Sequence, residues 1–163
     1  MAYQQPPWAA TADAGGQYAQ TVYANWLYRV GSYFIDAIVT GIVLWIALLL
    51  INVLNLRDDA TGAPSAAGIV LYLIGAAVSI VVGIWNQFIR QGRTGQSLGK
   101  QALGTRLISA QTGQPIGGWM AFVRQLCHIL DALPCYIGFL WPIWDSRRQT
   151  FADKIVNTVV VRA

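Results

Sequence analysis

One acidic side chain stands out for the chemistry it could do. Asp36 lies inside a long apolar run, WLYRVGSYFIDAIVTGIVLWIALLLINVL, whose only other charge is Arg29. If Arg29 marks an interface, Asp36 lies about 10 Å deeper at the helical rise of ~1.5 Å per residue. A carboxylate at that depth is costly unless it is neutralised, hydrated or paired. It is therefore either a carrier of a proton or cation, or half of a buried pair that fixes packing. Arg29 shares nearly the same helical face. Helical side chains lean toward the N-terminus, however, so Arg29 points away from Asp36. Partners are expected from elsewhere: Asn86, Gln87 and Arg90, or Arg124 and His128.

The same spacing recurs later in the chain, RVGSYFID against RQLCHILD, which sets Arg124 before Asp131. Two acids with arginines above them could make a cation or proton site, and chance recurrence is the simpler account. His128 is the single histidine, and it reads as a packed interfacial residue more readily than as a proton relay. Cys127 and Cys135 lie in an apolar stretch, where thiols pack as small hydrophobes. Neither a CxxC pair nor a zinc ligand set can be built from this inventory, so no metal and no cofactor is expected. The chain has no Glu, and its serines lack a nearby base, so a hydrolytic site is not expected and the chain reads as a non-enzyme. The stretch TGQSLGKQALG is not a phosphate-binding loop of the GxxxxGK[ST] type. It is one residue short between Gly95 and Gly99, and Gln101 follows Lys100. It reads instead as a basic turn on lipid headgroups, through Arg93, Lys100 and Arg106.

The elements that must position these groups are membrane spans. Hydrophobic residues make up 55% of the 163, charged residues 11%, and the mean hydropathy is +0.46. A soluble domain carries roughly a quarter charged residues to keep its surface wet, so much of this surface faces lipid. The net charge of +4 does not mark a nucleic-acid binder, because the basic residues flank apolar spans and form no binding motif. A first span is expected over residues 27–56 and a second, without one charge, over residues 66–89. Each supplies the roughly twenty apolar residues that a hydrocarbon core about 30 Å thick requires. Trp26, Tyr28 and Tyr33 suit an interfacial belt. Gly75, Ser79 and Gly83 form a small-residue stripe that either packs the second span on the first, the simpler reading, or makes a dimer seam.

Residues 119–144 are apolar but interrupted by Arg124, Asp131, Pro134 and Pro142. A hairpin or re-entrant pair broken near Pro134 is preferred over a single crossing, since it returns the basic tail to the side of the basic connector. The positive-inside rule places that side in the cytoplasm, together with the N-terminus. Residues 1–25, with Pro6, Pro7, Gly15 and Gly16 and no Lys or Arg, read as a disordered cytoplasmic tail without a signal peptide. Residues 105–110 and 157–162 could pair as a small cytoplasmic β ribbon. The expected fold is thus an all-α membrane protein of two full spans plus a Pro-broken third segment, forming one domain over residues 26–163.

Three blocks carry a specific resemblance. WLYRVGSYFID, GQSLGKQALGTRLIS and WDSRRQTFADKIVNTVVV, in that order over about residues 23–162, resemble the RDD family of bacterial integral membrane proteins. The resemblance implies a signature of one arginine and two aspartates: Arg29, Asp36 and Asp153, with Asp145 the weaker candidate for the second acid. It also implies an inner-membrane location, and sodium/proton antiport has been proposed for some members. Ala152 stands where many relatives have His. A polar cluster of Arg29, Asp36 and Asp153 is expected at the cytoplasmic leaflet, with Asn86, Arg90, Arg124, Asp131 and Asp145 as secondary candidates. Two functions remain open: ion or small-solute transport, such as cation/proton exchange by a homo-oligomer, or an accessory subunit packed in a larger membrane complex.

Overall fold

The structure, a computed structural model, describes residues 23–163. Its frame is a hairpin of two long helices, α1 (Trp26–Val53) and α2 (Ala66–Thr94). Both are long and apolar enough to cross a membrane. Helix α1 stops at a left-handed residue, Asn55 (φ 51°), and Leu56 N–H returns to the Ile51 carbonyl at 2.9 Å. Such a turn satisfies the open carbonyls of the last helical turn. Ser65 then caps α2, its Oγ accepting from Gly68 N–H at 3.3 Å. Arg57 ties the turn together through Asn52 Oδ1 and the Gly62 carbonyl.

The hairpin closes along the small-residue stripe. A Cβ on Gly75 would lie 2.7 Å from Ala47 Cβ, and one on Gly83 would lie 3.6 Å from Thr40 Cγ2. In lipid, apolar area alone gives helices no reason to associate, so close backbone approach supplies the contact. Ile38, Ile42, Trp45, Leu73 and Ile80 project outward and are exposed, as a lipid-facing surface requires. The second span outruns its expected end at residue 89 and continues to Thr94. It does so through a π-helical turn, Trp85–Arg90. Such insertions are frequent at functional sites, and this one carries Asn86.

A short helix α3 (Leu98–Ala102) leads into β1 (Thr105–Ser109). Helix α4 (Gly117–Ala132) and α5 (Ile137–Leu140), extended by a 3-10 turn at Trp141–Ile143, follow. The two are bent by 109°. Pro134 cannot donate a helical hydrogen bond, and Cys135 and Tyr136 after it take left-handed φ values of 51° and 63°. The third apolar segment is therefore broken at the proline. Helix α6 (Phe151–Ile155) precedes β2 (Thr158–Arg162), which pairs antiparallel with β1 in the register Leu107↔Val160. The ribbon is covered on both faces: Ile108, Val159 and Val161 pack with Tyr23, and Leu107 and Val160 with Ala24. Of the expected tail, residues 1–22 lie outside the described residues. Tyr23 bridges Val161, and Ala24 N–H donates to the Val160 carbonyl at 2.8 Å.

Candidate functional site

The connector after α2 folds back against the first span because Gly99 lets it. A Cβ at Gly99 would collide with the Ser32 carbonyl and would lie 3.0 Å from Asp36 Cγ. With no side chain there, the first turn of α3 reaches the carboxylate. Gly99 N–H donates to Asp36 Oδ1 at 2.7 Å and Ser97 Oγ to Oδ2 at 2.6 Å. The π turn of α2 adds Asn86, whose Nδ2 donates to Asp36 Oδ1 at 2.7 Å. Asp36 is only 2% exposed and makes no ion pair among the described residues. A buried carboxylate needs hydrogen bonds in place of water, and three donors supply them.

A second centre sits beside it. Asp153, fully buried, takes Arg29 Nη1 on Oδ2 at 2.6 Å and Arg124 Nε on Oδ1 at 2.7 Å. Thr158 Oγ1 donates to Oδ1 at 3.1 Å. Asp153 also closes a capping box: Thr150 Oγ1 accepts from Asp153 N–H, and Asp153 Oδ2 accepts from Thr150 N–H. Burial would raise the Asp153 carboxyl, but the guanidiniums of Arg124 and Arg29 hold it far below the usual carboxylate range. The two expected acids are thus not bonded to one another: Arg29 joins Asp153, and Asp36 is held by the connector.

The secondary candidates fall in different places. Asn86 joins Asp36 and Arg124 joins Asp153. Asp131 is fully buried and accepts from Phe151 N–H at 2.8 Å and from His128 Nδ1 at 2.6 Å. His128 therefore has an orienting partner three residues on, and its ring stacks on Phe139 with centroids 5.3 Å apart. Arg90 donates to the Gln96 carbonyl at 2.6 Å and to Gln101 Oε1. Asp145 pairs with Lys154 at 2.6 Å near the surface. Arg93 and Arg106 are exposed, whereas Lys100 is half-buried and turned to the interior. Among the described residues, no group of three His, Cys or acidic side chains is gathered as a metal ion would need.

Between these centres lies a cavity of about 430 Å³. Arg29, Asp36, Lys100, Arg124 and His128 line it together with Trp26, Tyr33, Tyr136 and Phe139. Trp26 Nε1 donates to the Phe139 carbonyl at 2.9 Å, pinning the bent segment over the start of α1. Burial, with Arg124 nearby, lowers the Lys100 ammonium to about 8.

Sequence reasoning did not find Ser97 and Gly99 as partners of Asp36. The signal was present in GQSLGK, where a serine caps a helix turn and a glycine opens a close approach. The i,i+3 spacing of His128 and Asp131 was likewise readable.

Comparison with known proteins bears on this arrangement. The RDD family matches residues 23–157, which contain Arg29, Asp36 and Asp153. A "Proline-rich antigen" of Mycobacterium leprae (strain TN) is 40% identical over 149 residues, covering 84% of this chain and 60% of the relative. A "Proline-rich antigen homolog" of Mycobacterium tuberculosis (strain ATCC 25618 / H37Rv) is 38% identical over 152 residues, covering 85% and 63%. The chain thus spans less than two thirds of the length of these relatives. No solved structure matches it. With the family's match extending over most of the sequence and across both polar centres, the chain belongs to the RDD family.

Proposed function

We propose that this protein is a non-enzymatic, multi-pass component of the bacterial plasma membrane that binds and moves an ion or small solute. The observation that carries the reading is the cavity at one end of the hairpin, where charged groups from α1, α3 and α4 face a space bordered by aromatic rings. Intramembrane ionisable groups cost too much to be kept without a use or a partner. Here the Lys100 ammonium, facing this space from the connector helix α3, makes no hydrogen bond or ion pair among the described residues. All Lys and Arg except Arg57 belong to α1's start, α2's end and the elements after it. The positive-inside rule sets that end, and the N-terminus, in the cytoplasm.

Cation/proton exchange at Asp36 is the narrower version. It requires Asp36 to release Asn86, Ser97 or Gly99 before a cation can take its oxygens. Movement of a solute through the cavity asks for no such release.

A second reading, a non-transporting subunit of a larger assembly, is favoured by the hairpin seam. Beyond Asp36 the seam closes at Gly83 with Thr40 and at Gly75 with Ala47. A single copy therefore offers no polar route past this point, and transport would need further copies or a partner.

Purified protein in proteoliposomes tests the first reading. Cation-driven proton flux or solute flux is expected in the wild type and is expected to fall in Asp36→Asn. Flux absent, or indifferent to that substitution, removes transport, and a stable partner retained in mild detergent then supports the assembly role.

A further inference from the structure

The side chains around the cavity hold more hydrogen-bond donors than acceptors. Lys100 has three N–H groups, and none is used among the described residues. Arg29 spends Nη1 on Asp153, while its Nε and Nη2 are buried without a partner among the described residues. Arg124 is 8% exposed, and among the described residues its one side-chain bond is from Nε to Asp153. The acids cannot absorb this surplus. Asp36 is held by three donors, Asp153 by both arginines and Thr158, and Asp131 by His128 and the start of α6. Buried donors are almost always paired in native proteins, with protein, water or a ligand. Three cations on three separate elements, facing one space, call for an acceptor-rich anion.

The remaining walls define what that anion is attached to. Gln87, Gln125 and Thr150 add neutral polar groups to them, and the rest of these walls, including Trp26, Tyr33, Tyr136 and Phe139, is apolar or aromatic. Tyr33 and Tyr136 are 70% and 66% exposed, so these walls reach the surface that the spans present to lipid. The cavity has a cationic floor and an apolar margin.

We propose that the cavity binds a phosphate oxyanion carried on an apolar group, with Arg29, Lys100 and Arg124 donating to its oxygens and the aromatic margin covering the apolar part. Arginine and lysine donors arriving from several directions suit a tetrahedral oxyanion. The source is either a phospholipid head or a soluble phosphate ester. This inference rests on the solute-binding reading above and names the ligand class of the same cavity.

The test uses the full chain in a neutral detergent and reads thermal stability and tryptophan fluorescence, neither of which depends on flux. The probes are dihexanoyl phosphatidylglycerol, dihexanoyl phosphatidylcholine, phenyl phosphate and inorganic phosphate. Saturable stabilisation by phosphatidylglycerol, and not by phosphatidylcholine or phenyl phosphate, assigns the lipid source. Stabilisation by phenyl phosphate ahead of inorganic phosphate assigns a soluble ester. In either case Lys100→Met is expected to weaken binding roughly tenfold or more, since it removes charge-assisted donors. The substitution takes away a cation that holds nothing together, so it leaves the unliganded protein at least as stable. Binding by none of the anions, or binding unchanged in Lys100→Met, overturns the inference. Anion binding without flux would leave it standing while removing transport. Cation flux without anion binding would do the reverse.

Discussion

Asn86 Nδ2 donates to Asp36 Oδ1 at 2.7 Å, and the same amide accepts from Leu98 N–H at 2.8 Å through its oxygen. One side chain therefore ties the first span, the second span and the connector together. It is fully buried, and it occupies the π turn of α2. With both amide atoms spoken for, its orientation is fixed. Asp36 is thereby held as an acceptor, almost wholly buried at the edge of the cavity.

The first prediction separates the charge of Asp36 from its acceptor geometry. Asparagine keeps an oxygen for Asn86 and Gly99 and turns an amide toward Ser97, so Asp36→Asn should cost only about 1–2 kcal/mol. Alanine leaves three buried donors without an acceptor, at about 1–3 kcal/mol for each unsatisfied group. Asp36→Ala should therefore be far the less stable of the two. Detergent-solubilised protein melted in parallel checks the order. Equal losses would show that the donors do not depend on residue 36.

Removing the acid at 153 should be more damaging than removing either arginine. Asp153→Asn leaves Arg29 and Arg124 buried beside one another, and breaking a buried pair costs on the order of 3–5 kcal/mol. The pH dependence follows from its lowered carboxyl. The folded value lies below the ordinary 3.8, so the stabilisation is complete above that value and is lost as pH falls beneath it. Acid titration of the melting temperature should show a steeper fall below about pH 4 in the wild type than in Asp153→Asn.

Glycine 99 and glycine 41 make a matched pair. At Gly99 a methyl group meets the Ser32 carbonyl, which is backbone and cannot yield cheaply, so Gly99→Ala should push α3 off α1 and disorder the Asp36 centre. At Gly41 the nearest atom is Trp45 Cδ1 at 3.7 Å, an ordinary contact. Gly41→Ala should be neutral or stabilising by up to about 1 kcal/mol. Limited proteolysis of the connector, compared across the two variants, reads the difference directly.

Lys100 supplies an alkaline counterpart. Burial, reinforced by Arg124 and Arg29 and opposed by Asp36 and Asp153, brings the folded value to about 8, below the ordinary 10.5. Between those two values the unfolded chain binds the extra proton, so stability should rise with pH across that window. The rise should vanish in Lys100→Met. Unfolding followed in matched buffers from pH 7 upward, near ~11 at the top, tests this. Any oxyanion bound in the cavity should also be released as Lys100 loses its charge.

How far the sequence disclosed the structure depends on the range of each interaction. The two spans and the break at Pro134 follow from local rules: uninterrupted apolar length in one case, a missing N–H in the other. The ribbon was visible as two short β-prone runs, TRLIS and TVVVR, and its pairing needed only that both lie at one end of the hairpin. The site was harder. Arg29, Asp36 and Asp153 were identifiable as types, yet which acid met which base depended on how α4 and α6 dock. Arg29 reaches across to Asp153, and Arg124, weighed as a partner for Asp36, arrives on α4 and pairs with Asp153 instead. Asp36 was expected to seek a side-chain partner. Besides Asn86 it found a serine hydroxyl and a backbone N–H, and backbone donors carry no residue signature. Lys100 looked like an exposed connector lysine because charge density, not burial, is what a sequence shows.

Strand β2 lies between β1 on one edge and Tyr23 on the other, so the segment entering α1 and the segment leaving the ribbon are moored to the same plank. Any polypeptide joined ahead of Tyr23 must emerge within a strand's width of Val161, on the face where the connector and α6 also gather. That exit lies at the ribbon end of the hairpin, opposite the Arg57 turn.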